Sequence, residues 1–259
     1  MNTADLDLIL LATFTGDSPL PATACRLQHR LGVPDVPAMD INAGCSGFVY
    51  ALTNATAFIR AGMYRNVLVV GVEVMSSVVD WTDRATCVLF GDGAGAVVLT
   101  GETPSGRGVL ATHIGADGSG ADDLQLPAGG SARRTSAATL AAGLHTVRMN
   151  GAAIFRSAVL RMADTVEAML AAAQLTLDDL ELLIPHQANH RIIEAVARRL
   201  QFPMDRVVTN LDRYGNTSAA SIAIALDEAR RDGVATAGDV VALVAFGAGL
   251  TWGGCLLRL

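Results

Sequence analysis

Lysine is absent from the 259 residues; all 19 basic side chains are arginines. That excludes a lysine Schiff base, a pyridoxal-phosphate anchor and the lysine of a Walker-type phosphate loop. Aromatic residues make up only 5% of the chain, and 25 acidic residues leave a formal charge of −6. A net acidic chain with so few aromatics is poorly equipped to bind nucleic acid. The cysteines Cys25, Cys45, Cys87 and Cys255 show no CxxC pairing. Neither a disulfide framework nor a zinc site is therefore expected, and no metal is called for. No basic stretch followed by an apolar run opens the chain, so no signal peptide is read. The uncharged stretch 41–59 contains Asn42, Ser46, Thr53 and Asn54, while 240–257 is broken by Gly247, Gly249, Gly253 and Gly254. Such breakers suit a hairpin and not a spanning helix. The expectation is a cytoplasmic protein with no membrane segment.

What is present is hydrophobic material, 51% of the residues, arranged as short Val/Leu/Ile runs alternating with helical periods. Runs at 6–13, 37–41, 67–74 and 94–100 read as strands buried on both faces, with helices over 19–31 and 45–61 between them. The second half repeats the plan: strands at 109–114, 180–184, 206–209, 240–246 and 251–257, and helices at 150–173, 189–200 and 217–231. Even the text echoes, Thr3-Ala4-Asp5-Leu6-Asp7-Leu8 against Thr176-Leu177-Asp178-Asp179-Leu180-Glu181-Leu182. A duplicated α/β fold follows, with halves at 1–105 and 106–259. Only five residues precede Leu6, whereas a strand and a long helix precede Leu180. The first half is therefore expected to lack its opening strand and helix.

Three segments carry candidate chemistry. In Asn42-Ala43-Gly44-Cys45-Ser46-Gly47-Phe48 a strand gives way to a tight turn and a helix, placing Cys45 at a helix N-terminus. Free N–H groups and the helix dipole there favour a thiolate, the form in which cysteine attacks carbonyl carbon. The plainer alternative is a small buried hydrophobe. Pro185-His186-Gln187-Ala188-Asn189 follows a strand, so His186 falls where α/β ligand crevices open, although lone histidines are often structural. Asn216, in Gly215-Asn216-Thr217-Ser218, could be an ordinary helix cap. Together they offer a nucleophile, an imidazole and an amide at strand ends, as acyl transfer through an oxyanion or enolate requires. Gly91-Asp92-Gly93-Ala94-Gly95 mimics a nucleotide loop but precedes a strand, and reads as close backbone packing.

These three segments resemble the signatures of β-ketoacyl-[acyl-carrier-protein] synthase III, as do Phe90–Ala96, Met149-Asn150-Gly151 with Phe155, and Ala245–Gly253. The similarity runs in order along essentially the whole chain. It implies a thiolase-like fold of two duplicated α/β halves in a five-layered helix-sheet-helix-sheet-helix plan, the first half incomplete. It also implies that Cys45 takes a short acyl group from acyl-CoA, with the backbone N–H groups of Cys45 and Ala248 as oxyanion hole. His186 and Asn216 then stabilise the enolate formed from malonyl-acyl-carrier protein, with no cofactor. By the same resemblance Arg84, Asn189 and Arg191 contact CoA, and Arg156, Arg191, Arg198 and Arg199 dock an acidic carrier protein. Leu20 stands at the acyl pocket where many acetyl-preferring members have phenylalanine, which implies room for longer or branched groups.

Departures qualify the resemblance. The family's usual opening strand is expected in the middle of the first sheet, Tyr214 replaces a common histidine, and Ala248 replaces a common glycine. A cytoplasmic homodimer that starts fatty-acid synthesis is the main expectation. The alternatives are a ketosynthase-like acyltransferase loading an unusual starter, or a non-catalytic relative that dimerises or binds carrier protein.

Overall fold

The computed structural model describes residues 2–102 and 106–259; the expected boundary at residue 105 lies outside them. The first half contains β1 (Leu8–Ala12), α1 (Thr23–Leu31), β2 (Ala38–Ile41), α2 (Gly47–Arg60), β3 (Asn66–Glu73) and β4 (Gly93–Thr100). After it come β5 (Gly108–Ala116), β6 (Leu124–Gln125), α3 (Ala137–Ala141), β7 (Arg148–Met149) and α4 (Gly151–Ala172). The remainder is β8 (Leu182–Pro185), α5 (His190–Leu200), α6 (Leu211–Tyr214), α7 (Ser221–Arg231), β9 (Val240–Gly247) and β10 (Thr251–Arg258).

Two four-stranded sheets, ordered β2-β1-β3-β4 and β5-β10-β9-β8, are each covered on both faces. Strand alternation makes this possible, because successive side chains point to opposite faces. On β1, Leu8, Leu10 and Ala12 enter a core shared with α2 and α7, while Ile9 and Leu11 pack under α1 with Ala24 and Val33. On β9, Val241, Leu243 and Ala245 enter the shared core, while Val240, Ala242 and Val244 face Met162, Val166 and Ile193 of α4 and α5. The layers run α1, first sheet, α2 with α7, second sheet, α4 with α5. This is the five-layered thiolase-like plan.

Three expectations need correction. Residues 206–209 form no strand: Met204–Arg206 is a 3-10 turn, and Val207 only bridges Leu183. The helices read from 45 and 217 begin as 3-10 turns, at Gly44–Ser46 and Ser218–Ala220, before α2 and α7. Lastly, β5 is an outer strand of the second sheet, antiparallel to β10. The equivalent place in the first sheet is the edge beside β4, not its middle.

Gly91, Gly93 and Gly95 do pack closely. A Cβ on Gly91 would lie 2.0 Å from the Tyr214 carbonyl oxygen, and one on Gly95 would lie 2.7 Å from Ala223 Cβ. These contacts let β4 and the residues before it press against the segment that carries Asn216.

Candidate active site

The site forms where the two sheets meet through the inner helices. β2 delivers Cys45, β8 delivers His186, and β9 delivers Ala248, all at carboxyl ends of strands, where α/β crevices open. The turn Gly44–Ser46 abuts the turn Ser218–Ala220: Ser218 Oγ lies 3.4 Å from Cys45 Sγ. A Cβ on Gly247 would come 2.7 Å from the Cys45 nitrogen, and Gly44, at φ +52°, approaches the Ala248 nitrogen. Only glycine permits that backbone path. It sets the N–H of Cys45, in a first turn whose donors have no partner within the helix, beside the turn that carries Ala248.

Cys45 is part-buried and lines two cavities, one of about 430 Å³ and one of about 80 Å³. Phe90 and Leu124 line both as well. The larger is mainly apolar, with Phe14, Met75, Leu126 and Val147 in its wall. The smaller is lined by His186, Asn189 and Asn216 together with Ile154 of α4 and Ile192 of α5. The structure thus brings Cys45, His186 and Asn216 around one cavity.

Burial opposes the thiolate expected at the helix start. Burial pushes the Cys45 thiol from its ordinary 9.0 up to about 11; the Ser218 contact lowers it, and nearby Glu73 adds a further rise. That rise stands for about 3 kcal/mol against ionisation, whereas a helix N-terminus returns only about 1 kcal/mol. Desolvation wins, and Cys45 rests as a thiol.

His186 is 2% exposed, and burial pushes its pKa down to about 4, so the ring is neutral at pH 7. Its Nδ1 lies 2.7 Å from Ser221 Oγ, which also accepts the Gln187 N–H. Ser221 keeps its hydroxyl hydrogen and a second lone pair for this contact; when it donates to Nδ1, the neutral ring carries its hydrogen on Nε2. Asn216 is buried, with Oδ1 accepting the Ser218 N–H at 2.9 Å. Its own N–H donates to the Leu89 carbonyl, and its carbonyl accepts from Gly91. The side-chain NH₂ is left available as a donor. Ser218, Ser221 and Glu73 are the site residues that sequence reasoning passed over, though Ser218 stands in the quoted motif and Ser221 three residues after it.

Other expected residues scatter. Asn189 caps α5 by accepting the Ile192 N–H, yet still lines the smaller cavity. Arg84 sits on an exposed turn and lines neither cavity, and Arg156, Arg191 and Arg198 are exposed on α4 and α5. Arg199 pairs with Asp164 at 3.2 Å. Leu20, expected at the acyl pocket, is 86% exposed and reaches neither cavity within one chain.

Comparisons with known proteins agree along the chain. Residues 39–118 match the family model for 3-oxoacyl-[acyl-carrier-protein (ACP)] synthase III, and residues 170–259 match the model for its C-terminal part. A β-ketoacyl-[acyl-carrier-protein] synthase III from Caldanaerobacter subterraneus subsp. tengcongensis is 52% identical over 98% of this chain and 76% of its own. The crystal structure of 3-oxoacyl-[acyl-carrier-protein] synthase III from Aquifex aeolicus VF5 superposes with TM-score 0.91 at 44% identity, covering 100% of this chain and 79% of that one. The priming β-ketosynthase from the R1128 polyketide biosynthetic pathway gives TM-score 0.87 at 35% identity, over 100% of this chain and 76% of its own.

Proposed function

Because the chain belongs to the 3-oxoacyl-[acyl-carrier-protein] synthase III family, we propose that Cys45, His186 and Asn216 divide a decarboxylating Claisen condensation between the two sides of one sulfur. The chain is an acyltransferase of the ketosynthase type. The observation that carries the division is that Cys45 lines both cavities, while His186 and Asn216 line only the smaller.

In the first half-reaction Cys45 Sγ attacks the thioester carbonyl of an acyl-CoA. The oxyanion accepts from the N–H groups of Cys45 and Ala248, the thioester collapses, and CoA leaves. The acyl group occupies the larger cavity, whose roughly 430 Å³ of apolar space exceeds what an acetyl group fills. Malonyl-acyl-carrier protein then presents its thioester in the smaller cavity. Loss of CO₂ puts charge on the thioester oxygen, where His186 Nε2–H and the Asn216 amide donate. The enolate carbon attacks the acyl-cysteine and yields 3-oxoacyl-carrier protein. None of these steps calls on a cofactor.

Asn189 lines the smaller cavity, and Arg191 at the start of α5 and Arg156 near the start of α4 are exposed. They are suited to the phosphates of CoA and to an acidic carrier protein, and Arg198 extends the same helix. Screened surface charge of this kind mainly raises association rate. Arg199, held by Asp164, contributes less, and Arg84 and the exposed Leu20 act only if CoA or a partner subunit reaches them. A cytoplasmic homodimer that starts fatty-acid synthesis is the fullest form of this reading; among the described residues no helix is long and apolar enough to cross a membrane. The likeness to a priming polyketide ketosynthase favours a second one, the loading of an unusual starter by the same chemistry.

The division of labour is tested with His186→Ala and Asn216→Ala. Each is expected to acylate Cys45 normally but to lose about 10²–10³-fold in malonyl-carrier-protein decarboxylation, the usual cost of an oxyanion donor. Loss of acylation in both, with decarboxylation intact, would reverse the assignment.

A further inference from the structure

Glu73 ends β3 with an acidic side chain that is 1% exposed. A carboxylate in such a place needs donors, and it has them. Thr13 Oγ1 donates to Oε2 at 3.1 Å, the Phe14 N–H reaches both oxygens at 3.3 Å, and the Thr15 N–H donates at 3.1 Å. The Thr15 hydroxyl donates as well. All these donors come from residues 13–15, just after β1, where Phe14 also lines the larger cavity. The remaining contact faces the active site: Ser218 Oγ is 3.3 Å from Glu73 Oε1 and 3.4 Å from Cys45 Sγ. Ser218 takes this bridging position with φ +48°, a backbone region uncommon for serine.

One hydroxyl hydrogen serves one acceptor at a time. With Cys45 as a thiol, the ionised carboxylate is the stronger acceptor and draws the Ser218 hydrogen, leaving the oxygen lone pairs to the S–H; donation to Sγ, which lowers the thiol pKa, takes over as the thiolate forms. We propose that Cys45, Ser218 and Glu73 form a proton relay in which Glu73 takes up the thiol proton during acylation and returns it on condensation. This rests on the reading of Cys45 as the nucleophile and adds the proton's route to it.

The steps balance. As Sγ bonds to the acyl carbon, its proton passes to Ser218 Oγ while the Ser218 hydroxyl proton passes to Glu73 Oε1. Serine is regenerated, and Glu73 becomes a neutral acid. CoA leaves with the electron pair of the broken C–S bond and takes its proton from solvent. When the enolate displaces Cys45, the thiolate recovers a proton by the reverse transfers. Burial holds the Glu73 carboxyl above the usual carboxylate range, which suits a temporary acceptor. Removing its charge also removes the repulsion that opposes a developing thiolate. Ser218 acts on the reacting sulfur directly; Glu73 acts through it, as a positioning residue. Among the described residues, the other titratable group lining the two cavities is His186, already in contact with Ser221 at Nδ1.

The test compares wild type, Ser218→Ala, Glu73→Gln and the double variant by rapid-quench mass spectrometry of Cys45 acylation across pH, with iodoacetamide alkylation of Cys45 in parallel. Each single variant is expected to be slowed about 10²-fold near pH 7, in line with loss of general-base assistance. Its rate should then climb with pH toward the titration of the thiol, whereas wild type stays flatter. The double variant should be no slower than either single one, because a relay broken at one link is already broken. Ser218→Ala leaves the donors of Glu73 in place, so it carries the test if Glu73→Gln fails to fold. Single variants with wild-type rates and pH profile, or additive losses in the double variant, would overturn the relay. If wild type takes no acyl group yet its alkylation shows the predicted variant pattern, the relay stands and the acyl-CoA reading fails.

Discussion

The neutrality of His186 at pH 7 fixes which hydrogen bonds it can make. A protonated ring would donate from both nitrogens, but burial removes that form. Ser221 then orients the ring through its 2.7 Å contact with Nδ1. Ser221→Ala is expected to slow decarboxylation about tenfold to a hundredfold, the cost of one lost buried hydrogen bond, while Cys45 acylation is unchanged. Decarboxylation kinetics beside an acylation assay check this; equal loss in both would mean that Ser221 only supports the fold. At this scale the sequence disclosed the candidate groups that line one cavity, but not their supports. Cys45, His186 and Asn216 stand in local turns whose pattern carries meaning. Glu73 is the one acid in the apolar run 67–74, a signal that a buried charge needs partners. Those partners lie about 60 and 145 positions away, beyond any local pattern.

Elements with a full period were legible, and those without one were not. β9 and α4 show themselves because alternation or a helical stripe runs through many residues. Residues 117–149 contain two-residue strands and a five-residue helix, too short to display a period, yet they supply Leu124, Leu126 and Val147 to the cavity wall. The expected strand at 206–209 failed for a related reason: a short apolar stretch fits a bridge beside a sheet as well as a strand. The glycines before and within β4 carried a clear signal of close approach. Gly91→Ala is expected to destabilise the fold by roughly 3 kcal/mol or more, since backbone oxygen cannot yield as a flexible side chain does. Thermal unfolding should show a midpoint lower by roughly 10 °C in a domain of this size. An unchanged midpoint would show that β4 does not hold the Asn216 segment in the way described.

The whole molecule depends on a single inner layer. α2 and α7 separate the sheets, and each begins in a 3-10 turn that carries part of the site, Cys45 on one and Ser218 on the other. Duplication therefore does more than enlarge the core. It brings the equivalent ends of two halves face to face, so that nucleophile, imidazole, amide and carboxylate converge from segments far apart in sequence. The duplication was visible in the order of runs and in the echo between 3–8 and 176–182. The place of each strand within its sheet was not, because pairing order is not written in hydrophobic pattern. The central claim, that this fold makes Cys45 an acyl-accepting nucleophile, is tested most directly by intact-protein mass spectrometry after incubation with acetyl-, butyryl- and isobutyryl-CoA. Wild type is predicted to gain the mass of one acyl group, and Cys45→Ala none. A folded wild-type protein that gains no mass, or an equal gain in Cys45→Ala, would contradict it.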